Sequence, residues 1–209
     1  MTLDLSTYLV TDPDLCGERG VFETVVAAVE GGVTAVQLRE KGASARSLSR
    51  LATALLRALD GTGVPLLVND RLDVALATGA HGVHLGQDDL DVEDARRLAG
   101  PGLVIGLSVS TQEEMTVANR LPDGTVDYLG IAPVFATATK TDTEEELGLD
   151  GLADLCRRTH LPCVAIGGIH AGNAAAVRSS GADGVAVVSA ICAAADPADA
   201  AAALGGRAR

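Results

Sequence analysis

The stretch "EGGVTAVQLREK", residues 30–41, carries one structural unit from end to end. A glycine pair closes a helix-patterned segment, an apolar run follows, and the run passes straight into Gln37, Arg39, Glu40 and Lys41. Glycine after a helical pattern predicts a C-terminal cap, and a short apolar run behind it predicts a strand. Alternate side chains on a strand share a face, so Gln37, Arg39 and Lys41 are expected on one side and Val36, Leu38 and Glu40 on the other. The same order of helix, glycine and strand returns in "ATGAHGVHL" (77–85) and "SSGADGVAVV" (179–188).

Working outward, strand-like runs are expected at Thr7–Thr11, Ala35–Arg39, Leu66–Asn69, Gly82–Leu85, Val104–Ser108, Tyr128–Ile131, Cys163–Gly167 and Val185–Val188. Between them lie helix-patterned segments such as "VFETVVAAVEGG", "SARSLSRLATALLRALD" and "GNAAAVRSSG". Strands that alternate with helices pair in parallel, because a tight hairpin cannot join parallel neighbours. Eight such units with no linker or shift of composition predict an α/β chain folded as one (β/α)8 barrel domain over residues 1–209, although six to eight units also build an open doubly wound sheet. One connection breaks the rhythm. "APVFATATKTDTEEELG" runs 17 residues after Ile131, well beyond the roughly two to six usual between a strand and its helix, and loops of that length are commonly lids or binding loops.

The composition narrows the function. With 209 residues, 47% of them hydrophobic, 2% aromatic and no Trp, the core is built from Val, Leu, Ile and Ala. A net charge of −12 argues against nucleic acid as a partner, since that binding depends on Lys and Arg neutralising phosphates. Clusters of basic residues therefore stand out. Cys16, Cys156, Cys163 and Cys192 fall at no metal-ligand or CxxC spacing and read as scattered small hydrophobes suited to a reducing, cytoplasmic setting. The start "MTLDLSTYLVTD" lacks the basic residues of a signal peptide, and no apolar run reaches the roughly 20 residues of a membrane span. A soluble protein without a membrane partner is expected.

A parallel barrel places its active site at the C-terminal ends of the strands, and this rule sorts the polar residues. Strand two ends in Gln37, Arg39 and Lys41, strand three in Asn69 and Asp70, strand four in Gln87, Asp88 and Asp89, and strand five in Ser108. Asp70 or Asp89 alone could simply cap a helix. At adjacent strand ends the two acids can instead converge on one hard cation such as Mg2+, which uses few carboxylates and keeps phosphate oxygens among its ligands. With Arg39 and Lys41 beside them, the set suits a diphosphate.

After strands seven and eight, "IGGI" and "VVSAI" fit the place where barrels often bind phosphate, with Ser189 expected as the cap of the following helix. Turn geometry is the plain alternative for the glycines. In the long loop, Thr137, Thr139 and Lys140 offer hydroxyls and an ammonium to a second phosphate-bearing group, against the alternative of a solvated polar loop. His84 is expected to be a hydrogen-bonded core residue without a catalytic role. His81, His160 and His170 have no nucleophile partner, and no triad is visible.

The motifs "VQLREK", "VNDRLDVA", "GVHLGQDDL", "IGLSVST", "PVFATATK", "AIGGI" and "GVAVVSAI", in this order, closely resemble the thiamine-phosphate synthase family of TIM barrels. The resemblance covers nearly the whole chain at every strand end. It implies an enzyme that condenses hydroxymethylpyrimidine diphosphate with hydroxyethylthiazole phosphate to thiamine phosphate and pyrophosphate, with Mg2+ as cofactor. It assigns the pyrimidine diphosphate to Gln37, Arg39, Lys41, Asn69, Ser108 and Lys140, and Mg2+ to Asp70 and Asp89. Arg39, Lys41 and Lys140 take the catalytic role of stabilising the leaving group. The thiazole phosphate falls to Thr137, Thr139, the backbone at Gly168, Val188 and Ser189. Ala132 departs from the glycine common in the family at that position but touches none of these roles.

The family chemistry is dissociative: pyrophosphate departs, a resonance-stabilised pyrimidine cation remains, and the thiazole nitrogen captures it. Such a step needs charge stabilisation and alignment, so the lack of a triad is expected. The runner-up is a thiazole tautomerase of the same fold, which has no use for a diphosphate-metal site. A non-catalytic phosphate-metabolite sensor would lose the metal acids, and a sugar-phosphate isomerase would need an acid/base pair placed for proton abstraction. The expected partners are small phosphorylated molecules, with the oligomeric state, a homo-oligomer included, left open.

Overall fold

A computed structural model of the chain describes residues 3–136 and 145–205. Its strands are β1 (Thr7–Val10), β2 (Ala35–Leu38), β3 (Leu66–Asn69), β4 (Gly82–Leu85), β5 (Val104–Val109), β6 (Tyr128–Ile131), β7 (Cys163–Ile166) and β8 (Gly184–Val187). All neighbours pair in parallel in the order β1 to β8, and β8 returns to β1, with Tyr8 opposite Ala186, to close the barrel. The open-sheet alternative is thereby excluded. The helices are α1 (Pro13–Cys16), α2 (Gly20–Glu30), α3 (Ala45–Leu59), α4 (Leu72–Thr78), α5 (Val92–Ala99), α6 (Gln112–Ala118), α7 (Gly148–Arg157), α8 (Ala174–Ser179), α9 (Ser189–Cys192) and α10 (Pro197–Ala203). Among the described residues no helix is long and apolar enough to cross a membrane.

The expected strands meet the observed ones to within a residue at each end, because strands of a closed parallel barrel are covered on both faces and read as unbroken apolar runs. β1, β2, β6 and β8 are buried at every residue. Alternation then divides the side chains between two cores. Val36 and Leu38 face outward into the large core under the helices. Ala35, Tyr8, Leu67, Tyr128, Val164 and Ala186 fill the barrel interior. The glycine repeat is also accounted for: Gly32, Gly79 and Gly181 all have positive φ, where residues with a Cβ are strained, and each ends a helix before the next strand.

The helix starts are fixed by side chains. Ser44 caps α3, Asp91 caps α5 and Asp196 caps α10, while Thr111 and Glu114 form a capping box on α6. The long connection after β6 is anchored at its base, where Leu147 and Gly148 donate backbone hydrogen bonds to Pro133 and Val134 at 3.0 and 2.9 Å. Val134 and Phe135 in turn donate to Ile166 and Gly167 at 3.0 and 3.1 Å, extending the seam between β6 and β7 past the strand ends.

Candidate active site

At the C-terminal ends of the strands the barrel opens into a cavity of about 760 Å³. Gln37, Arg39, Lys41, Asn69, Asp70, Asp89, Ser108, Gly168, Val188 and Ser189 all line it. Thr137, Thr139 and Lys140 lie outside the described residues. Residues expected at six separate strand ends thus share one space, as a closed parallel barrel requires.

The basic side follows from how β2 ends. The strand stops at Leu38, and Arg39 is held by Thr11: its N–H donates to Thr11 Oγ1 at 2.9 Å and its carbonyl accepts from the same hydroxyl at 3.1 Å. A turn follows, and it bends Lys41 toward the cavity. The alternation of Gln37, Arg39 and Lys41 on one face therefore continues beyond the strand itself. The Arg39 guanidinium stands 3.9 Å from Asp12, too long a pair to neutralise it.

The acidic side is set by backbone geometry. Asp70 has φ of 61°, the one positive φ among described residues other than glycine. Its N–H donates to His84 O at 2.9 Å, and its carbonyl accepts from Leu72 N at 3.2 Å. Asp tolerates this region better than most side chains, and backbone strain of this kind gathers at functional sites. Here Asp70 shares the cavity mouth with Asp89. Asp89 in turn accepts from Gly86 N at 2.7 Å. Burial first, then the hydrogen bond and charge of Asp89, push the Asp70 carboxyl up to about 6 against the opposing pull of Lys41 and Arg39. Neither acid caps a helix: Arg71 occupies the cap position of α4 without a side-chain bond, and Asp91 caps α5.

One sequence expectation changes and another gains a structural ground. Ser189 is not a cap but the first residue of α9; Val188, which has no side-chain acceptor, holds the cap position. The glycines of "IGGI" have a sufficient structural cause, since both have positive φ and a Cβ on Gly168 would fall 2.7 Å from Ala136 O. They let the strand end pass under the loop, and Gly168 lines the cavity as a consequence of that packing.

Several residues of the site escaped the sequence reading. Tyr8 and Tyr128 meet His84 at the cavity floor, where the two tyrosyl rings pack edge to face at 6.0 Å between centroids. Burial depresses the His84 imidazole to about 4 and raises the Tyr8 phenol to about 12, so both are neutral at neutral pH. The available signal was scarcity: the sequence has only two tyrosines, and both lie on strands at inward positions. Glu114 also lines the mouth, but its carboxylate accepts from Ser110 N and Thr111 N at 2.6 and 3.2 Å as part of the α6 cap.

Residues 7–191 match the family model described as thiamine monophosphate synthase. A thiamine-phosphate synthase from Albidiferax ferrireducens is 55% identical over 92% of this chain and 87% of its own length. One from Azorhizobium caulinodans is 53% identical over 95% and 92% respectively. The structure of a thiamine phosphate pyrophosphorylase from Pyrococcus furiosus superimposes with a TM-score of 0.87 at 38% identity, covering 97% of this chain and 95% of that one. A 3-hexulose-6-phosphate synthase with a TM-score of 0.70 at 19% identity shares the fold alone. With the strand-end residues gathered in one cavity and most of the chain matched to these enzymes, the chain belongs to the thiamine monophosphate synthase family, a family of transferases of thiamine biosynthesis.

Proposed function

We propose that the enzyme condenses hydroxymethylpyrimidine diphosphate with hydroxyethylthiazole phosphate, releasing thiamine phosphate and pyrophosphate, with Mg2+ held by Asp70 and Asp89. The observation that carries this reading is that Asp70 and Asp89 line the same mouth as Arg39 and Lys41, with Asp89 raising the Asp70 carboxyl. Two carboxylates so placed repel unless a proton or a cation lies between them. Among the described residues no cluster of three or more metal-type side chains exists. A site of two carboxylates fits Mg2+, which commonly takes one or two of them and completes its shell with water and substrate phosphate. When bound, the ion supplies charge neutralisation to the diphosphate.

The chain's own residues do the rest. Arg39 and Lys41 bind the leaving diphosphate and stabilise the charge that grows on it, with Ser108 donating a hydrogen bond. Gln37, on the same strand end as the cations, and Asn69, on the next, hold the pyrimidine. Val188, Ser189 and the Gly168 backbone lie across the cavity and fit the thiazole phosphate, which sets its ring nitrogen against the reacting carbon. The carbon–oxygen bond to the diphosphate breaks with its electron pair leaving on pyrophosphate, and the thiazole nitrogen lone pair forms the new carbon–nitrogen bond. No proton need be abstracted, which suits a floor of neutral His84 and Tyr8. The resemblance adds Thr137, Thr139 and Lys140 from the loop. Purified protein mixed with both substrates is expected to form thiamine phosphate and pyrophosphate with Mg2+ and to stop in a chelator. No product at saturating substrate with the ion present overturns the reading.

A further inference from the structure

Five polar side chains from β1, β2, β4, β5 and β6 form one file across the barrel just under the cavity. Gln37 Nε2 lies 3.1 Å from the Tyr8 hydroxyl, and that hydroxyl lies 2.9 Å from the Tyr128 hydroxyl. Tyr128 is 2.8 Å from His84 Nδ1, and His84 Nε2 is 3.0 Å from Ser108 Oγ. Both ends of the file, Gln37 and Ser108, line the cavity. Tyr8 and Tyr128 are closed to water, at 1% and 0% exposure, while His84 is half-buried and, like Tyr8, also borders the cavity. The barrel makes room for it: a Cβ on Gly106 would fall 2.2 Å from the Tyr128 ring, and one on Gly130 would fall 3.0 Å from His84.

Proton counting gives the file a direction. An amide nitrogen only donates, so Tyr8 accepts from Gln37 and its single proton goes to Tyr128. The Tyr128 proton then goes to His84 Nδ1, which must present a lone pair. The ring proton sits on Nε2 and is donated to Ser108 Oγ, which leaves the Ser108 proton for the cavity. A doubly protonated imidazole would strand the Tyr128 proton without an acceptor in the file. The reverse direction would turn Ser108 toward His84 as a donor and offer only lone pairs to a phosphate oxygen.

We propose that the file Gln37–Tyr8–Tyr128–His84–Ser108 locks His84 in its Nε2–H tautomer and thereby makes Ser108 a hydrogen-bond donor to the diphosphate. Tyr8, Tyr128 and His84 are positioning residues, acting through Ser108. The role of the Ser108 proton rests on the diphosphate reading above; the tautomer does not.

The test has two arms. Nitrogen NMR of histidine side chains in the ligand-free protein, assigned through bonds to the backbone, reads the tautomer directly. His81 is an internal standard, since its Nδ1 accepts from Leu66 N at 3.0 Å and its proton is therefore on Nε2. His84 is expected to show the same pattern; a protonated Nδ1 overturns the lock. In the second arm, inorganic pyrophosphate with Mg2+ is titrated into wild type, Ser108→Ala, Tyr128→Phe and the double variant. Each single change is expected to weaken binding about tenfold, and the double variant no further, because both remove the same donated bond. Losses that multiply in the double variant overturn the coupling to Ser108. The expected tautomer together with no pyrophosphate binding by the wild-type protein overturns the diphosphate reading and, with it, the Ser108 role, while the direction of the file is upheld. The first arm needs no variant to fold.

Discussion

Asp70 carries a local cost at the site. Its φ of 61° and its carboxyl, pushed up to about 6 chiefly by burial and then by Asp89, both oppose folding at neutral pH. The sign is definite: a carboxyl whose folded pKa lies above its unfolded value binds the proton more tightly when folded. Metal-free protein therefore loses stability from this group as pH rises from about 4 to about 6. Asp70→Asn should remove that dependence and, in a chelator at neutral pH, stabilise the chain by about 1–2 kcal/mol once partial exposure is discounted. Denaturant melts of both proteins across that pH range check it, and a variant no more stable than wild type at neutral pH refutes the like-charge account. Asp89→Ala should cripple turnover mainly by raising the Mg2+ and diphosphate concentrations needed; turnover near wild type would remove the metal assignment. The cysteines are a further residue-scale result. Read as scattered, they neighbour one another in two pairs, Cys16 by Cys192 and Cys156 by Cys163, while the hydrogen bonds of the Cys192 and Cys163 thiols go to Val10 O and Leu161 O. Both pairs are formed by residues distant or offset along the chain, so spacing gave no hint of them.

At the scale of elements, glycines decide where strands and loops can approach. Gly106 on β5 lies against the Tyr128 ring, and a Cβ there would overlap it. Gly106→Ala is expected to destabilise the protein by about 1–3 kcal/mol through overpacking and to displace Tyr128 from His84. A melt within experimental error of wild type would show that the ring is free to move aside. Capping offers the contrasting case. Asp91 accepts from Glu93 N and Asp94 N at 2.9 and 3.3 Å and does not line the cavity. Asp91→Ala should cost about 1 kcal/mol in stability and leave kcat and KM unchanged. A loss of activity larger than the loss of folded protein would tie α5 to the site. The neighbouring Asp89, similar in sequence context, does no capping at all, and that difference was visible only once the start of α5 was placed.

For the molecule as a whole, the cavity joins the C-terminal ends of nearly every strand, so a ligand there bridges elements that separate on unfolding. Mg2+ with pyrophosphate at about a hundred times its dissociation constant should stabilise the protein by about 2.7 kcal/mol, roughly 5–10 °C in Tm for a chain of this size. Thermal melts with the ion, the anion, and both together check it; a shift from the anion alone as large as from the pair would speak against a metal between Asp70 and Asp89. The strands and the glycine-closed helix ends could be placed from residue order because those signals are local: apolar runs buried on both faces and glycines where φ is positive. The grouping of polar residues at strand ends followed from the parallel arrangement, and the family motifs added their roles. Closure of β8 on β1, the placing of Asp70 and Asp89 at one mouth, the file from Gln37 to Ser108 and the thiol pairs depended on something else. They are contacts between different strands and helices, set by barrel register and by the space that Gly106 and Gly130 leave inside it. Residue order carries local propensity, whereas which side chains face one another across a closed sheet is fixed only when every strand has taken its register.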